Sequence, residues 1–311
     1  MLLGILSLLF IPVPSHTFLS KAVNNFAHVP LFGLVVILLL KGSRMVFTPS
    51  SWPAIRHYMV ALLGVLSLAL FTEALQSLSA TRQAEVSDIL LDLVGAMCGL
   101  ALFFTYDQQV SGKWAQWRLF PWNAILRFCV VLLLGLTLQP VVGWAYAYWD
   151  RDSRFPSMLQ FSSDWEMKFV RASDSDLQVV DPPEGWKKSA EDKVGQVVFH
   201  PKTYPGIRID EPYPDWRGYS HLHLDIFSEL PTPQSIVIRI DDVHHNNEHA
   251  DRFNKAFIIL PGLNHIQIPL EDIRQAPVGR ELDLSAIKTV LLFSVNPPKE
   301  FSLYVDNFQL E

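Results

Sequence analysis

The sequence predicts an N-terminal all-α transmembrane bundle of about five helices, followed by a C-terminal all-β jelly-roll sandwich. Two observations predict this architecture. Before Trp149 charged residues are sparse and long apolar runs dominate, whereas after Asp150 short alternating runs are separated by Pro, Asn and charged residues. The predicted domains are residues 1–149 in the membrane, a charged linker at 150–157, and the sandwich at 158–311.

The composition excludes several functions. The net charge is −6, and no basic stripe with interleaved aromatic residues is present, so nucleic acid is not a predicted partner. Both cysteines, Cys98 and Cys129, lie in apolar segments and are predicted to be small packing residues. There is no Gly-rich phosphate loop, nucleophile elbow, HExxH or CxxC motif, so we predict no cofactor and no metal.

Five apolar segments predict the membrane helices. Four of them reach the length of about 20 residues that a bilayer requires. The first is shorter and lacks the basic region and cleavage site of a secretory signal, so we expect a retained helix. The segments are residues 1–13, 22–41, 57–77, 87–106 and 124–149.

Charge in the loops predicts the orientation. The loops at 41–57 and 113–127 are basic, which places them and the N-terminus in the cytoplasm by the positive-inside rule. An odd number of helices then places the residues after 150 outside. The sequence therefore predicts a multi-pass protein of a bacterial inner membrane with a periplasmic, or extracytoplasmic, C-terminal domain.

The segments 57–77 and 87–106 carry polar side chains within apolar surroundings. A carboxylate inside lipid costs a few kcal/mol, about 2.5–3.5 on insertion scales, so these side chains should face a partner helix or a wet cavity. Gly95 and Gly99 form a small-xxx-small step that permits close helix packing. The polar residues are Glu73, Gln76, Arg82, Asp88 and Asp92.

Two interpretations of these residues stay open. In one, Arg82 and the acids only hold a helical hairpin together, and Asp88 caps a helix. In the other, they form a functional site near one membrane surface.

This pattern resembles the VanZ-like membrane protein family, which is associated with teicoplanin resistance. The resemblance covers roughly the N-terminal half and includes His28 at the start of a helix. Two positions depart from the family: Asn24-Asn25 replaces an Asp-Lys pair, and Asp92 stands where the family usually has Asn. The resemblance implies an envelope role and a site formed by His28, Glu73, Arg82 and Asp88, with Gln76 and Asp92 nearby.

Such a site would act on a lipid-linked or glycan ligand, with membrane lipid as a further partner. Arg82 would hold a phosphate or carboxylate, and Glu73 or His28 would take a proton. Asp88 would orient His28 or hold Arg82. The alternative is a non-catalytic protein whose helices anchor a carbohydrate-binding module. His28 near a helix end is also compatible with simple bonding to headgroups or backbone.

The soluble half contains short runs with strand-like spacing, and eight of them argue for a β-sandwich. They resemble the jelly-roll carbohydrate-binding modules, in particular the run from Trp216 to Ile226 and the closing run from Leu303 to Leu310. The predicted strands are residues 166–170, 196–200, 221–227, 235–241, 255–260, 265–269, 289–295 and 301–310.

The densest polar cluster is the loop at 241–252. Its His and Asp residues are compatible with a transition metal, but their spacing fits no familiar metal motif, and a solvated hairpin loop is the favoured interpretation. Sugar binding is the second alternative, with Tyr213 and Trp216 as aromatic platforms that are equally compatible with core packing. The predicted sugar-binding residues are Tyr213, Trp216, Asp242, Asn246 and Arg252.

Overall fold

A computed structural model describes residues 17–47, 53–77, 86–107, 121–189 and 192–311. The chain divides into two compact units, Met1–Ala145 and Tyr146–Glu311. The predicted helix at 1–13 and the hinge residue Arg82 lie outside the described residues.

The described part of the first unit is helical, and four long helices begin in it, the last of which continues into the second unit. Each of the four is apolar enough to cross a membrane. The predicted spans fall inside these helices, which are longer at most ends. A capping box between Thr17 and Ser20 begins the first helix. The helices are α1 (Phe18–Val46), α2 (Ala54–Ser77), α3 (Val86–Tyr106) and α4 (Trp122–Arg154).

The end of α4 differs from the predicted linker at 150–157. The helix continues to Arg154, whose Nε donates to Asp150 Oδ1 at 3.1 Å one turn earlier. Such an i,i+4 pair supports the last turn of a helix, and the basic residue complements the helix dipole. The charges that indicated a linker therefore extend the helix instead.

Glycines bring α1 and α3 together. A Cβ on Gly95 would lie 2.2 Å from the carbonyl oxygen of Val29, and one on Gly99 would lie 2.5 Å from that of Gly33. The predicted small-xxx-small contact is confirmed. Around it Phe32, Val35, Val36 and Leu40 of α1 are buried with Ala61, Val65 and Ala69 of α2.

The second unit is an antiparallel β-sandwich of two sheets in the described residues. The six-stranded sheet has the order β3-β4-β11-β6-β9 with β1 paired to β11, and the five-stranded sheet has the order β2-β5-β10-β7-β8. The strands are β1 (Ser157–Leu159), β2 (Val170–Ser173), β3 (Ser175–Val180), β4 (Val194–Phe199), β5 (Gly206–Asp210), β6 (His221–Ser228), β7 (Gln234–Asp242), β8 (Phe253–Ile259), β9 (Gly262–Pro269), β10 (Ile287–Phe293) and β11 (Phe301–Leu310).

Seven of the eight predicted strands coincide with β4 and β6–β11. The eighth, residues 166–170, is mainly a 3-10 helix at Glu166–Phe169. The buried Glu166 carboxylate accepts the backbone N–H groups of Gln160 at 3.1 Å and Ser162 at 3.2 Å, which folds the chain back on itself locally. A short helix α5 (Leu270–Arg274) and the strands β1, β3 and β5 were not predicted, and β2 shares only Val170 with the predicted strand at 166–170.

We expect Gly95→Ala to lower the melting temperature of the full chain in detergent. The new methyl group would collide with the Val29 backbone, and overpacking of this kind typically costs about 1–3 kcal/mol. The matched control is Gly135→Ala, because a Cβ there meets nothing within 4 Å and Ala favours the helix. Equal melting temperatures for the two variants would contradict this packing.

Candidate functional site

One candidate site lies in the helical unit, where α1 and α3 contribute a buried imidazole and a buried carboxylate. His28 Nδ1 lies 2.8 Å from Asp92 Oδ1, and the residues are 6% and 1% exposed. Glu73 is also buried, near the end of α2, and Asp88 is half-buried one turn before Asp92. We call His28 and Asp92, with Asp88 one turn earlier on α3, the His28 cluster.

The His28 cluster only partly matches the predicted site. His28 contacts the carboxylate of Asp92, whereas the sequence predicted that Asp88 would orient His28 or hold Arg82. Asp92 is the acid that departs from the family pattern, so the departure supplies the partner of the imidazole. Arg82 and the side chain of Gln76 lie outside the described residues.

A second polar cluster lies toward the other ends of these helices. Arg44 donates to Asp107, which also accepts the Tyr58 hydroxyl at 2.7 Å, and Ser43 Oγ lies 2.8 Å from His57 Nδ1. Arg44 is 16 residues beyond His28 on α1, or about 24 Å along the helix axis. Sequence analysis used Arg44 and His57 only as loop charges and missed Asp107, which directly follows α3.

The β-sandwich carries a groove of about 730 Å³ on the five-stranded sheet. We call it the arginine groove because four arginines line it. Aromatic side chains also line it: Tyr204 is 60% exposed, and its ring meets Phe293 edge-on at 5.9 Å. Its polar lining residues are Arg171, Arg208, Arg239, Arg252, His249 and Asn254.

Strand register explains how the arginines come together. Neighbouring strands pair Arg171 with Arg208, Arg208 with Leu291, Leu291 with Arg239, and Arg239 with Asn254. Residues paired in this way share one face of a sheet. The result is one row across all five strands, with strands spaced about 4.8 Å apart.

Two buried carboxylates hold three of the arginines. Asp210 forms salt bridges with Arg171 Nε at 2.9 Å and with Arg208 Nε at 2.7 Å, and it accepts a hydrogen bond from Arg208 Nη2 at 3.2 Å. Asp241 is 2.8 Å from Arg239 and also accepts the Thr289 hydroxyl at 2.9 Å. Each acid stands two residues after an arginine of its own strand, so both side chains share the groove face.

Arg252 differs from the other three arginines. Among the described residues, no carboxylate lies within salt-bridge distance of its guanidinium, which distinguishes it from the other three. Its buried Nε, like that of Arg208, has no hydrogen-bond partner in the same residues. Burial, and the nearby Arg239 cation, lower the pKa of Arg252 below its usual value. Within the same residues, the buried Oδ1 of Asn254 also lacks a partner. Both residues line the groove, and each has one buried polar atom that the described part of the protein leaves without a hydrogen-bond partner.

The predicted sugar-binding residues are mostly structural in their contacts. Trp216 is fully buried in the core, and its Nε1 donates to the Tyr213 carbonyl at 2.8 Å. Tyr213 stacks on Phe155 with ring centroids 4.0 Å apart. The structure therefore shows the packing alternative for both aromatic residues. Asn246 is exposed on the loop, and only Arg252 of the predicted set lines the groove.

Arg280 organises the loop at 241–252. Its guanidinium donates to both oxygens of Asp242, at 2.5 and 2.9 Å, and to Asp251. Burial acts to raise the pKa of Asp242, but the bonds from Arg280 and the Asp283 N–H outweigh it and lower that pKa. The Arg280 hydrogen bond lowers the pKa of Asp251 to about 2. In the described part of the chain, no three His, Cys, Asp or Glu side chains are grouped to hold a metal.

A repeated tripeptide is the sequence signal for the groove. Arg208-Ile209-Asp210 and Arg239-Ile240-Asp241 place the same residues in β5 and β7. An arginine and an acid on one strand face, separated by a buried isoleucine, indicate a paired polar surface. The sequence analysis did not recognise this repeat.

We expect Arg280→Gln to lower the melting temperature of the full chain by several degrees at pH 7. The substitution leaves the fully buried Asp242 without its counter-charge. Carboxylates with a lowered pKa stabilise the fold above their unfolded pKa of about 3.9, and this contribution is lost as the pH falls toward 2. The difference between variant and wild type should therefore shrink over that range.

We call Arg280 with Asp242 and Asp251 the clamp. Its control is Arg274→Gln, which removes an exposed ion pair with Glu271. Exposed pairs contribute little, so its melting temperature should stay near wild type. A pH-independent effect of Arg280→Gln would show that the clamp does not act through its carboxylates.

Comparison with known proteins finds a family that part of the chain is similar to. Residues 4–107 match the VanZ/LLP1 family model. No curated protein matches the chain. Four long apolar helices together with this match identify a multi-pass membrane protein.

Solved structures resemble the C-terminal part of the chain. An exo-β-agarase is 13% identical with a TM-score of 0.40, covering 50% of this chain and 25% of its own. A family 11 carbohydrate-binding module from Clostridium thermocellum, in complex with a β-1,3-1,4-mixed-linked tetrasaccharide, is 19% identical with a TM-score of 0.36, covering 45% and 86%. The chain spans about a quarter of the agarase, and nothing about function follows from likenesses of this size. Residues 4–107 are thus similar to the VanZ/LLP1 family, and an antiparallel β-sandwich forms the C-terminal part of the chain.

Proposed function

We propose that this protein is a membrane-anchored glycan-binding protein of the bacterial cell envelope, with the glycan held in the arginine groove. The observation that carries the proposal is the row that crosses all five strands of one sheet, with Arg or Asn on four strands and Leu291 on β10. A row perpendicular to the strands offers repeated contacts to a chain molecule lying along it.

The size and lining of the groove support a glycan. Its volume of about 730 Å³ lies within the range of about 300–1,000 Å³ that is usual for ligand pockets. Sugars need planar donors and acceptors beside an aromatic surface. The guanidinium groups and Asn254 supply the first, and the exposed ring of Tyr204 supplies the second. Arg252 and Asn254 line the groove, and their guanidinium and amide groups would bond to ligand oxygens and hydroxyls.

Loop charge supports an extracytoplasmic sandwich. Lys41, Arg44 and Arg56 lie at or near the ends of α1 and α2 that face one membrane surface, which the positive-inside rule assigns to the cytoplasm. Four helices that cross in turn would bring the start of α1 and the end of α4 to the opposite surface. In this topology the β-sandwich and the His28 cluster lie on the outer side of the inner membrane.

We expect the full chain in nanodiscs to bind oligosaccharides on a glycan array. Asn254→Ala should weaken binding at least about fivefold, because one hydrogen bond to a ligand contributes about 1 kcal/mol or more. The matched control is Asn246→Ala, which removes the same side chain from the exposed loop. Absence of any glycan binding by the wild type, or a larger loss in Asn246→Ala, would contradict the proposal.

The His28 cluster favours a second candidate function, which is chemistry on a lipid-linked ligand at the outer membrane surface. A buried imidazole 2.8 Å from a buried carboxylate is an arrangement suited to proton transfer. In this candidate Asp92 orients His28, Glu73 is a second acid or base, and Arg82 holds a phosphate or carboxylate. The alternative role of the same pair is to hold α1 against α3.

Asp92→Asn separates these two roles because it keeps the shape of the side chain and removes its charge. If the cluster performs chemistry, the variant should insert and accumulate like wild type and still fail to complement a deletion strain in an envelope-antibiotic or polysaccharide assay. If the pair is structural, accumulation and melting temperature should fall together. Wild-type complementation by both Asp92→Asn and His28→Gln would exclude the chemical role.

A further inference from the structure

We infer that the ligand of the arginine groove is an acidic polysaccharide, one that carries carboxylate or sulfate groups along its chain. This inference rests on the proposed function and deepens it by naming the ligand class. It is argued from the charges in the groove, from the position of Arg252, and from the geometry of guanidinium groups.

The charges in the groove do not balance. Four guanidinium groups line it, and among the described residues their salt bridges involve only two carboxylates, Asp210 and Asp241. Four positive charges and two negative charges leave an excess of two positive charges. The whole chain carries a net charge of −6, so the charge of the groove is opposite in sign to the net charge of the protein. A local excess of one charge attracts ligands of the opposite charge.

The two carboxylates already form salt bridges with arginines. Asp210 serves both Arg171 and Arg208, so one negative charge faces two positive charges. Asp241 serves Arg239. Both acids are buried, at 7% and 5% exposure, whereas Arg171 and Arg208 remain open to solvent. An approaching ligand therefore meets the cations, and the acids lie below them.

Arg252 is the groove residue whose positive charge is least compensated by described carboxylates. It is partly buried, and within the described residues no carboxylate forms a salt bridge with it. Withdrawing a cation from water without a counter-charge is costly, and a ligand anion would remove that cost. Guanidinium groups bind planar oxyanions through two parallel N–H bonds, which gives both affinity and geometric selectivity.

A neutral glycan is the competing ligand, because arginine also donates to sugar hydroxyls. Binding of the two ligands should differ in how it depends on salt concentration and on the charged groups of the polymer. Binding of an acidic chain should weaken as salt screens the charges, whereas binding of a neutral chain should change little. Removing the charged groups from one polymer backbone tests the same point directly.

The experiment uses the full chain in nanodiscs of zwitterionic lipid and two pairs of oligosaccharides. One pair is polygalacturonate and its methyl ester; the other is a sulfated galactan and its desulfated form. We expect at least one acidic member to bind ten times or more tightly than its neutral counterpart, with weaker binding at 200 mM than at 20 mM NaCl. The member that binds identifies carboxylate or sulfate as the recognised group.

Two arginine variants locate the binding. Arg252→Gln should reduce affinity for the acidic ligand at least tenfold while the melting temperature stays at or above wild type, since no described ion pair is lost. Arg252→Lys should retain part of the affinity. Arg217→Gln, which changes an exposed arginine outside the groove, should have no effect.

The outcomes distinguish this inference from the proposed function. Equal or tighter binding of the neutral members would overturn the inference and leave glycan binding intact. Acidic binding that is insensitive to Arg252→Gln would place the ligand elsewhere and would also overturn it. If none of the four oligosaccharides binds but neutral glycans bind on the array, the inference is overturned and the proposed function stands. If no glycan on the array binds, the proposed function itself is overturned.

Discussion

The structure depends on one constraint: an ionisable side chain withdrawn from water must meet a partner. In the helical unit this constraint pairs His28 with Asp92 and Arg44 with Asp107, about 24 Å apart along α1. Between these pairs the contacts are apolar, and Gly95 lets two helix backbones approach closely. The polar pairs therefore lie toward the ends of the helices, and the intervening apolar length is what a bilayer accommodates.

The same constraint shapes the β-sandwich. Asp210 and Asp241 lie below the arginine row, and Arg280 joins Asp242 to Asp251 at the base of the loop that leads into β8. Arg252 is the last residue of this loop and directly follows Asp251, so the clamp also constrains a guanidinium that forms no salt bridge with a described carboxylate. A rigid sheet and a braced loop are a suitable scaffold for recognition of an extended ligand, because little has to be ordered on binding.

Sequence patterns predicted the elements better than the sites. Apolar length predicted the described helices, and alternation predicted seven strands, since each reports burial of one segment. The partner of His28 was not predictable, because Asp88 and Asp92 share a helix face and only packing against α1 decides between them. Trp216 and Asp242 have residue types typical of sugar sites, but tertiary contacts bury both. The arginine row depends on register between strands far apart in sequence, and only the Arg-Ile-Asp repeat hinted at it.

The most direct measurement is an experimental structure of the full chain with a bound acidic oligosaccharide. The account predicts that the sugar chain crosses β5, β10 and β7, with a ligand oxyanion within hydrogen-bond distance of the Arg252 guanidinium. Arg208 and Arg239 should contact the same chain while they keep their bonds to Asp210 and Asp241. A ligand bound to the six-stranded sheet or to the loop at 241–249, with the arginine groove empty, would contradict the account.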